Sequence, residues 1–162
     1  MPRCSLLFMV RIGVISDTHG WLRPEAIKIA ASCDVVLHAG DVGDEDILTD
    51  LERIAPTYTV RGNTDNGAWG AALPETRDLE FEGQRIHVIH DLELLGFDPA
   101  ARGLAAVISG HTHRPELRRQ RGVLHLNPGS AGPRRSGSPV TMGILVVEGP
   151  SLTATIVPLV PS

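Results

Sequence analysis

Cysteine, lysine and aromatic side chains are scarce in this sequence, and each scarcity excludes something. There are two cysteines, Cys4 and Cys33. Two cannot build a disulfide framework, and neither lies in a CxxC or Cys/His pattern, so both read as packing or surface residues of a reducing compartment. Lysine occurs once, at Lys28, and the formal net charge is −4. An acidic chain lacks the basic excess on which sequence-independent nucleic-acid binding rests. If phosphate is handled here, something other than net charge must attract it, and a bound divalent cation would do so. No apolar run approaches the roughly 20 residues that span a bilayer. The stretch Leu6 to Ile15 is broken by Arg11 and Gly13 and runs into Asp17 without a small-residue cleavage site, so it does not read as a signal peptide. A cytoplasmic protein without membrane association is the expectation. No low-complexity linker divides the 162 residues. Residues 9–162 therefore read as one domain, and residues 1–8 as an extension before the first strand, with Met1 or Met9 as the start.

What is present is a repeating pattern. Val10 to Ser16 is an apolar run bounded by polar residues, the mark of a buried strand. Pro24 suits the first turn of a helix reaching about Ser32. Asp34 to His38 is a second strand, Asp44 can cap a helix to about Arg53, and Thr57 to Arg61 is a third strand. The unit strand, polar turn, helix thus occurs three times with the third helix missing, which predicts a parallel α/β arrangement. The second half is richer in strands. Arg77 to Glu82 with Arg85 to His90, Ala105 to Ser109, Leu117 to Gln120 with Val123 to Leu126, and a last hairpin of Met142 to Val147 with Leu152 to Val157 predict a second, mixed sheet. A short helix is predicted over Pro99 to Leu104. The fold class is α/β (α+β), a four-layer αββα sandwich of two packed mixed sheets flanked by helices.

Five of these strands end in groups that bind metals. They are Asp17 and His19, Asp41, Asn63, His90, and His111 with His113. Open α/β sheets place their sites at such carboxyl ends. Gly40, Gly62 and Gly110 allow a sharp turn there. The donors are carboxylate, carboxamide and imidazole with no thiolate, which suits manganese, iron, zinc, nickel or cobalt better than a structural zinc site. Two such ions about 3.5–4 Å apart can clamp a phosphate.

Asp17-x-His19, Gly40-Asp41, Gly62-Asn63, His90 and Gly110-His111-x-His113, in this order, resemble the calcineurin-like metallophosphoesterases. The wording ISDTHG, LHAGD, VRGNTD, SGHTHRP and LNPGSAG is similar to the small bacterial and archaeal phosphodiesterase subfamily. The resemblance implies a β-sandwich flanked by helices and two divalent ions, manganese first. It implies that Asp17, His19 and His113 hold one ion, that Asn63, His90 and His111 hold the other, and that Asp41 bridges them. It also implies attack on phosphorus by a metal-bound hydroxide.

Three departures qualify the resemblance. Thr64 stands where many relatives carry a His that protonates the leaving group, which favours diesters and other good leaving groups, since a positioned acid is worth about 10²–10⁴-fold. Asp91 and Leu92 replace a usual Gly-His, so Asp91 adds negative charge that could repel substrate or bind a metal. The segment from His90 to Gly110 is short.

Other residues carry plainer roles. Asp65 reads as a turn-fixing residue, His38 as a buried structural histidine able to support a metal ligand from behind, and His125 as a packed strand residue. Asn127-Pro128-Gly129-Ser130 should shape the loop beneath the metals. The six arginines from Arg114 to Arg135 read as a solvated face, with Arg134 or Arg135 able to reach a substrate phosphate. The function expected is a metal-dependent phosphodiesterase acting on a small phosphate ester, with nucleic acid limited to short oligonucleotides or cyclic nucleotides, and with a homodimer open through the last hairpin's edge. A non-catalytic scaffold of the same fold is the alternative, because a eukaryotic trafficking subunit of this fold has lost activity.

Overall fold

The computed structural model describes residues 8–135 and 137–159. Apart from Phe8, the N-terminal extension, Cys4 included, lies outside the described residues. The elements in order are β1 (Met9–Ile15), α1 (Pro24–Ala30), β2 (Val35–His38), α2 (Glu45–Glu52), β3 (Thr57–Thr59), α3 (Gly67–Ala71), β4 (Thr76–Phe81), β5 (Gln84–Ile89), β6 (Ala106–Ile108), β7 (Glu116–Gln120), β8 (Val123–Asn127), β9 (Thr141–Glu148) and β10 (Ser151–Pro158). A 3-10 turn covers Leu92–Leu94.

The local chemistry explains the helices. Pro24, its φ already set, opens α1, whose Ala26 and Ala30 face inward. The Asp44 side chain caps α2 by accepting from the Asp46 amide, and Ile47 and Leu51 are its buried face.

Two five-stranded mixed sheets pack face to face, in the orders β10-β9-β1-β2-β3 and β4-β5-β6-β8-β7. Ile12, Val14, Leu37, Val60 and Leu145 meet Ile86, Val88, Ile108, Leu124 and Leu126 between them. Each fully buried Ile, Leu or Val there contributes roughly 1.5–3 kcal/mol. A second core of Ile15, Val36, Met142 and Ile144 packs under α1 and α2. The outer face of the second sheet, Ile89, Val107 and Val123, is covered by Leu92, Leu95, Phe97 and Ala100.

Register is what positions the site. In the first sheet Ile15 lies beside His38, and His38 beside Thr59. In the second, Val88 lies beside Ile108 and Ile108 beside Leu126. The parallel strands of each sheet therefore end level with one another, and their following turns gather at one edge.

Three expectations are corrected. The last hairpin does not join the second sheet. β9 pairs antiparallel with β1, because Met142 and Ile144 on one face and Leu145 and Val147 on the other are all buried, and only an interior strand with both faces covered accommodates them. A third helix does follow β3: α3 is short and built around two glycines, and Gly70 is needed because a Cβ there would meet the Asp65 carbonyl oxygen at 2.4 Å. Pro99 to Leu104 forms turns rather than a helix, so the only helical covering of that outer face among the described residues is the 3-10 turn.

Candidate metal centre

The turns after β1, β2, β3, β5 and β6 bring all seven sequence-predicted residues together. His19 Nε2 lies 3.1 Å from His113 Nε2, and His113 Nε2 lies 3.3 Å from Asp17 Oδ1. Asn63 Oδ1 lies 3.0 Å from His90 Nε2 and 3.1 Å from His111 Nδ1. Asp41 Oδ2 lies 3.7 Å from His19 Nε2 and 3.3 Å from His90 Nε2, so one oxygen faces both clusters. The other oxygen, Oδ1, accepts the Thr64 amide at 2.9 Å.

Backbone conformation, which residue type did not reveal, does much of the positioning. Asp17, His19, Asp41, His111 and His113 all have positive φ, between 45° and 72°. Such a conformation costs a non-glycine residue about 1–2 kcal/mol and persists only where the surroundings impose it. The glycines therefore act differently from expectation. Gly40 does turn the chain at φ +96°, but Gly62 and Gly110 serve close approach. A Cβ on Gly62 would meet the Asp41 amide nitrogen at 2.1 Å, and one on Gly110 the Ser16 hydroxyl at 2.0 Å.

Supporting residues tie the turns together. The buried His38 accepts the Gly40 amide on Nδ1 and donates from Nε2 to Thr18 Oγ1, which in turn donates to the Val42 carbonyl. It joins the turn of Asp17 and His19 to that of Asp41, and burial holds it neutral, its pKa pushed down to about 3. Asp65 fixes its turn as expected, accepting the Gly62 and Gly43 amides. Asn127 donates to the Gly110 carbonyl, and Ser130 to that of Asp17. Residues 127–130 thus brace both ligand turns. Thr18 and Ser16 are supports that sequence reasoning missed, and only their position beside Asp17 could have suggested them.

His87 and His125 stay outside. His87 pairs with Asp78 at 2.8 Å and stacks edge-on against Phe97, while His125 is packed in β8. Arg118 pairs with Glu116, Arg121 with Asp98, and Arg119 donates to the Leu152 carbonyl.

The electrostatics fit a cation. Burial raises the Asp17 carboxyl above its ordinary value, partly offset by the Ser16 hydroxyl. Its Oδ1 is buried and has no hydrogen-bond partner among the described residues. A buried, undonated carboxylate oxygen facing two imidazole nitrogens needs a positive charge to stay ionised. Burial would also raise Asp41, but hydrogen bonds from His90 and Thr64 outweigh it and hold the carboxyl low. Burial, the Arg135 charge and His19 push His113 down to about 4, so it is neutral and able to ligate at pH 7. Donors about 2.1 Å from a common ion and at right angles stand about 3 Å apart, close to the separations within each cluster. Two sets, Asp17-His19-His113 and Asp17-Asp41-His90, have ligand atoms all within 4.8 Å of one another.

The pattern of the calcineurin-like phosphoesterase superfamily domain matches residues 10–149. The chain belongs to that superfamily. It is 39% identical over 158 residues to a probable metallophosphoesterase of Methanothermobacter thermautotrophicus, covering 90% of this chain and 91% of the other. Among solved structures it is similar to Vps29 of Chaetomium thermophilum, with TM-score 0.78 and 21% identity over 91% of this chain and 87% of that one. It is also similar to an archaeal phosphodiesterase, with TM-score 0.70 and 23% identity over 91% and 99% of the two chains. Those two likenesses concern the fold. As a calcineurin-like phosphoesterase the chain belongs to a metal-dependent family of phosphoric ester hydrolases, and its site offers the ligand groups that such chemistry uses. Among the described residues no helix is long and apolar enough to cross a membrane.

Proposed function

We propose that this protein is a binuclear metal-dependent phosphodiesterase acting on a small phosphate ester. Asp17, His19 and His113 would hold one divalent ion, Asn63, His90 and His111 the other, and Asp41 would serve both, with manganese the expected metal. The observation that carries the reading is Asp41: Thr64 occupies one of its oxygens, and the remaining one faces His19 on one side and His90 on the other. When bound, divalent ions supply the positive charge that draws a phosphate and lower the pKa of water enough to give hydroxide near neutral pH.

The chain's own residues do the rest. The turns after β1, β2 and β6 hold ligands on left-handed backbone, which presets the positions of their donors before substrate arrives. A cavity of about 370 Å³, walled by Arg61, Ile89 and Leu94, opens beside Asn63, His90 and His111 and can take one ester arm. Thr64 contributes its amide to Asp41 and has no ionisable group to protonate a leaving alcohol. That supports diesters with good leaving groups over monoesters of poor ones.

The test is hydrolysis of bis-p-nitrophenyl phosphate and p-nitrophenyl phosphate by metal-stripped protein restored with manganese, beside Asp41→Ala. The expected result is manganese-dependent turnover favouring the diester, reduced in the variant by more than the about 100-fold that loss of an outer-shell partner brings. A folded protein that binds metal yet turns over neither ester would favour the scaffold reading, which the likeness in fold to Vps29 supports.

A further inference from the structure

Asp91 follows the ligand His90 directly, and nothing in the reaction so far uses it. Its carboxylate is fixed in place: Oδ1 accepts the Glu93 amide at 3.0 Å and caps the 3-10 turn Leu92–Leu94. Oδ2 is left facing His111 Nε2 at 3.9 Å. His111 in turn points its other nitrogen, Nδ1, at Asn63 Oδ1.

The neighbouring histidine shows what this geometry does. His90 aims Nε2 at the same Asn63 oxygen and is anchored from behind, where Nδ1–H donates to the Ala39 carbonyl at 2.7 Å. A metal-ligating imidazole usually donates its outer N–H to such a partner, which sets tautomer and ring orientation. His111 needs one more than His90 does, because its side chain is 42% exposed and that of His90 6%. Among the described residues its Nε2 has no hydrogen-bonded carbonyl and faces Asp91 instead.

We propose that Asp91 is the positioning carboxylate of His111. It draws a proton onto Nε2, leaves the Nδ1 lone pair directed at the site, and stops an exposed ring from swinging away. The gap closes with a small ring rotation or one bridging water. One turn, His90-Asp91, thereby supplies a ligand and the orienter of a second ligand. This inference rests on the binuclear reading above and assigns Asp91 a role through His111 rather than contact with substrate.

The experiment is stepwise manganese titration of metal-stripped parent and Asp91→Asn, followed by calorimetry and by electron paramagnetic resonance of bound ions. Asparagine keeps an oxygen for the Glu93 amide, so metal-free unfolding temperature should not change. The weaker of the two binding steps should loosen about 10–100-fold and the tighter one should stay as it was. In a His111→Ala background the same substitution should add nothing further. Unchanged affinities, equal loosening of both steps, or a full additional loss in the His111→Ala background would each overturn the proposal. A parent that takes up fewer than two ions would overturn the binuclear reading and this proposal with it. A two-ion parent with an unaffected variant overturns this proposal alone.

Discussion

Asp17, His19 and His113 all sit on left-handed backbone, whereas of Asn63, His90 and His111 only His111 does. The first trio is also the drier: Asp17 is fully buried and His113 is 6% exposed, with the rings of His19 and His113 stacked 5.0 Å apart at 19°. In the second, the rings of His90 and His111 meet edge-on at 79° and border an open cavity. One half is organised by strained backbone; in the other, His90 is held by a hydrogen bond to its outer ring nitrogen and His111 turns its outer nitrogen towards Asp91 at 3.9 Å. The difference implies unequal affinities. The rigid, desolvated half should bind its ion tightly. The half beside the cavity should exchange its ion more readily and share it with the substrate.

The largest test of this division removes it altogether. Gly62→Ala would drive a methyl into the Asp41 amide and carboxylate, 2.1 and 2.2 Å away, on the residue that faces both halves. Turnover should fall by more than about 100-fold, and stability by about 1–3 kcal/mol from overpacking. Normal kinetics in this variant would mean that the close approach is not needed.

Asp17→Asn should separate the halves. Neutralising a buried carboxylate with an unpaired oxygen should leave the metal-free unfolding temperature unchanged or higher, while the rise on adding manganese shrinks and the tighter binding step is lost. If both ions weaken alike, the two halves are one cooperative unit and the comparison fails.

The last test concerns pH. Unfolded, His38 takes up a proton below about 6.5. Folded, it does so only at about 3. Between those values the unfolded state binds more protons, so stability falls as pH drops from about 6.5 towards 3, by at most about 1.4 kcal/mol per pH unit from this group. Thermal unfolding of metal-free His38→Gln across pH 4–7 should show a shallower slope than the parent. An unaltered slope would mean that His38 is not the neutral strut joining the Thr18 and Gly40 turns.

The parallel strands and their tips were legible because apolar runs stop abruptly at Asp17, Asp41, Asn63 and His111, and polar residues gathered at strand ends have few structural uses. Pairing was less so. β9 has the same apolar composition whether it lies in one sheet or the other, and only the burial of both its faces against β1 decides. Gly67 and Gly70 hid α3, since glycine argues against a helix unless something must pack close, as the Asp65 carbonyl does here. The left-handed conformations of Asp17 and His113 were invisible, because no residue type announces strain imposed by distant hydrogen bonds such as Ser130 to Asp17. Asp91 stood out as an unusual residue, but its partner lies 20 positions away in sequence and became apparent only in three dimensions.

The antiparallel pairing of β9 with β1 also sets an order of assembly. β1 leaves the ribosome well before one of its two neighbours, Thr141–Glu148. Until then the strand that leads into Asp17 and His19 keeps an open, apolar edge, the kind of surface that pairs with the wrong chain. The Ser130 hydroxyl that holds the Asp17 carbonyl also arrives late, 113 positions on. Metal capture by the first trio should therefore mark a chain in which Ser130 and β9 have already been made, and divalent ions supplied during refolding should raise the yield of folded protein by trapping molecules in which β1 and β9 have already met.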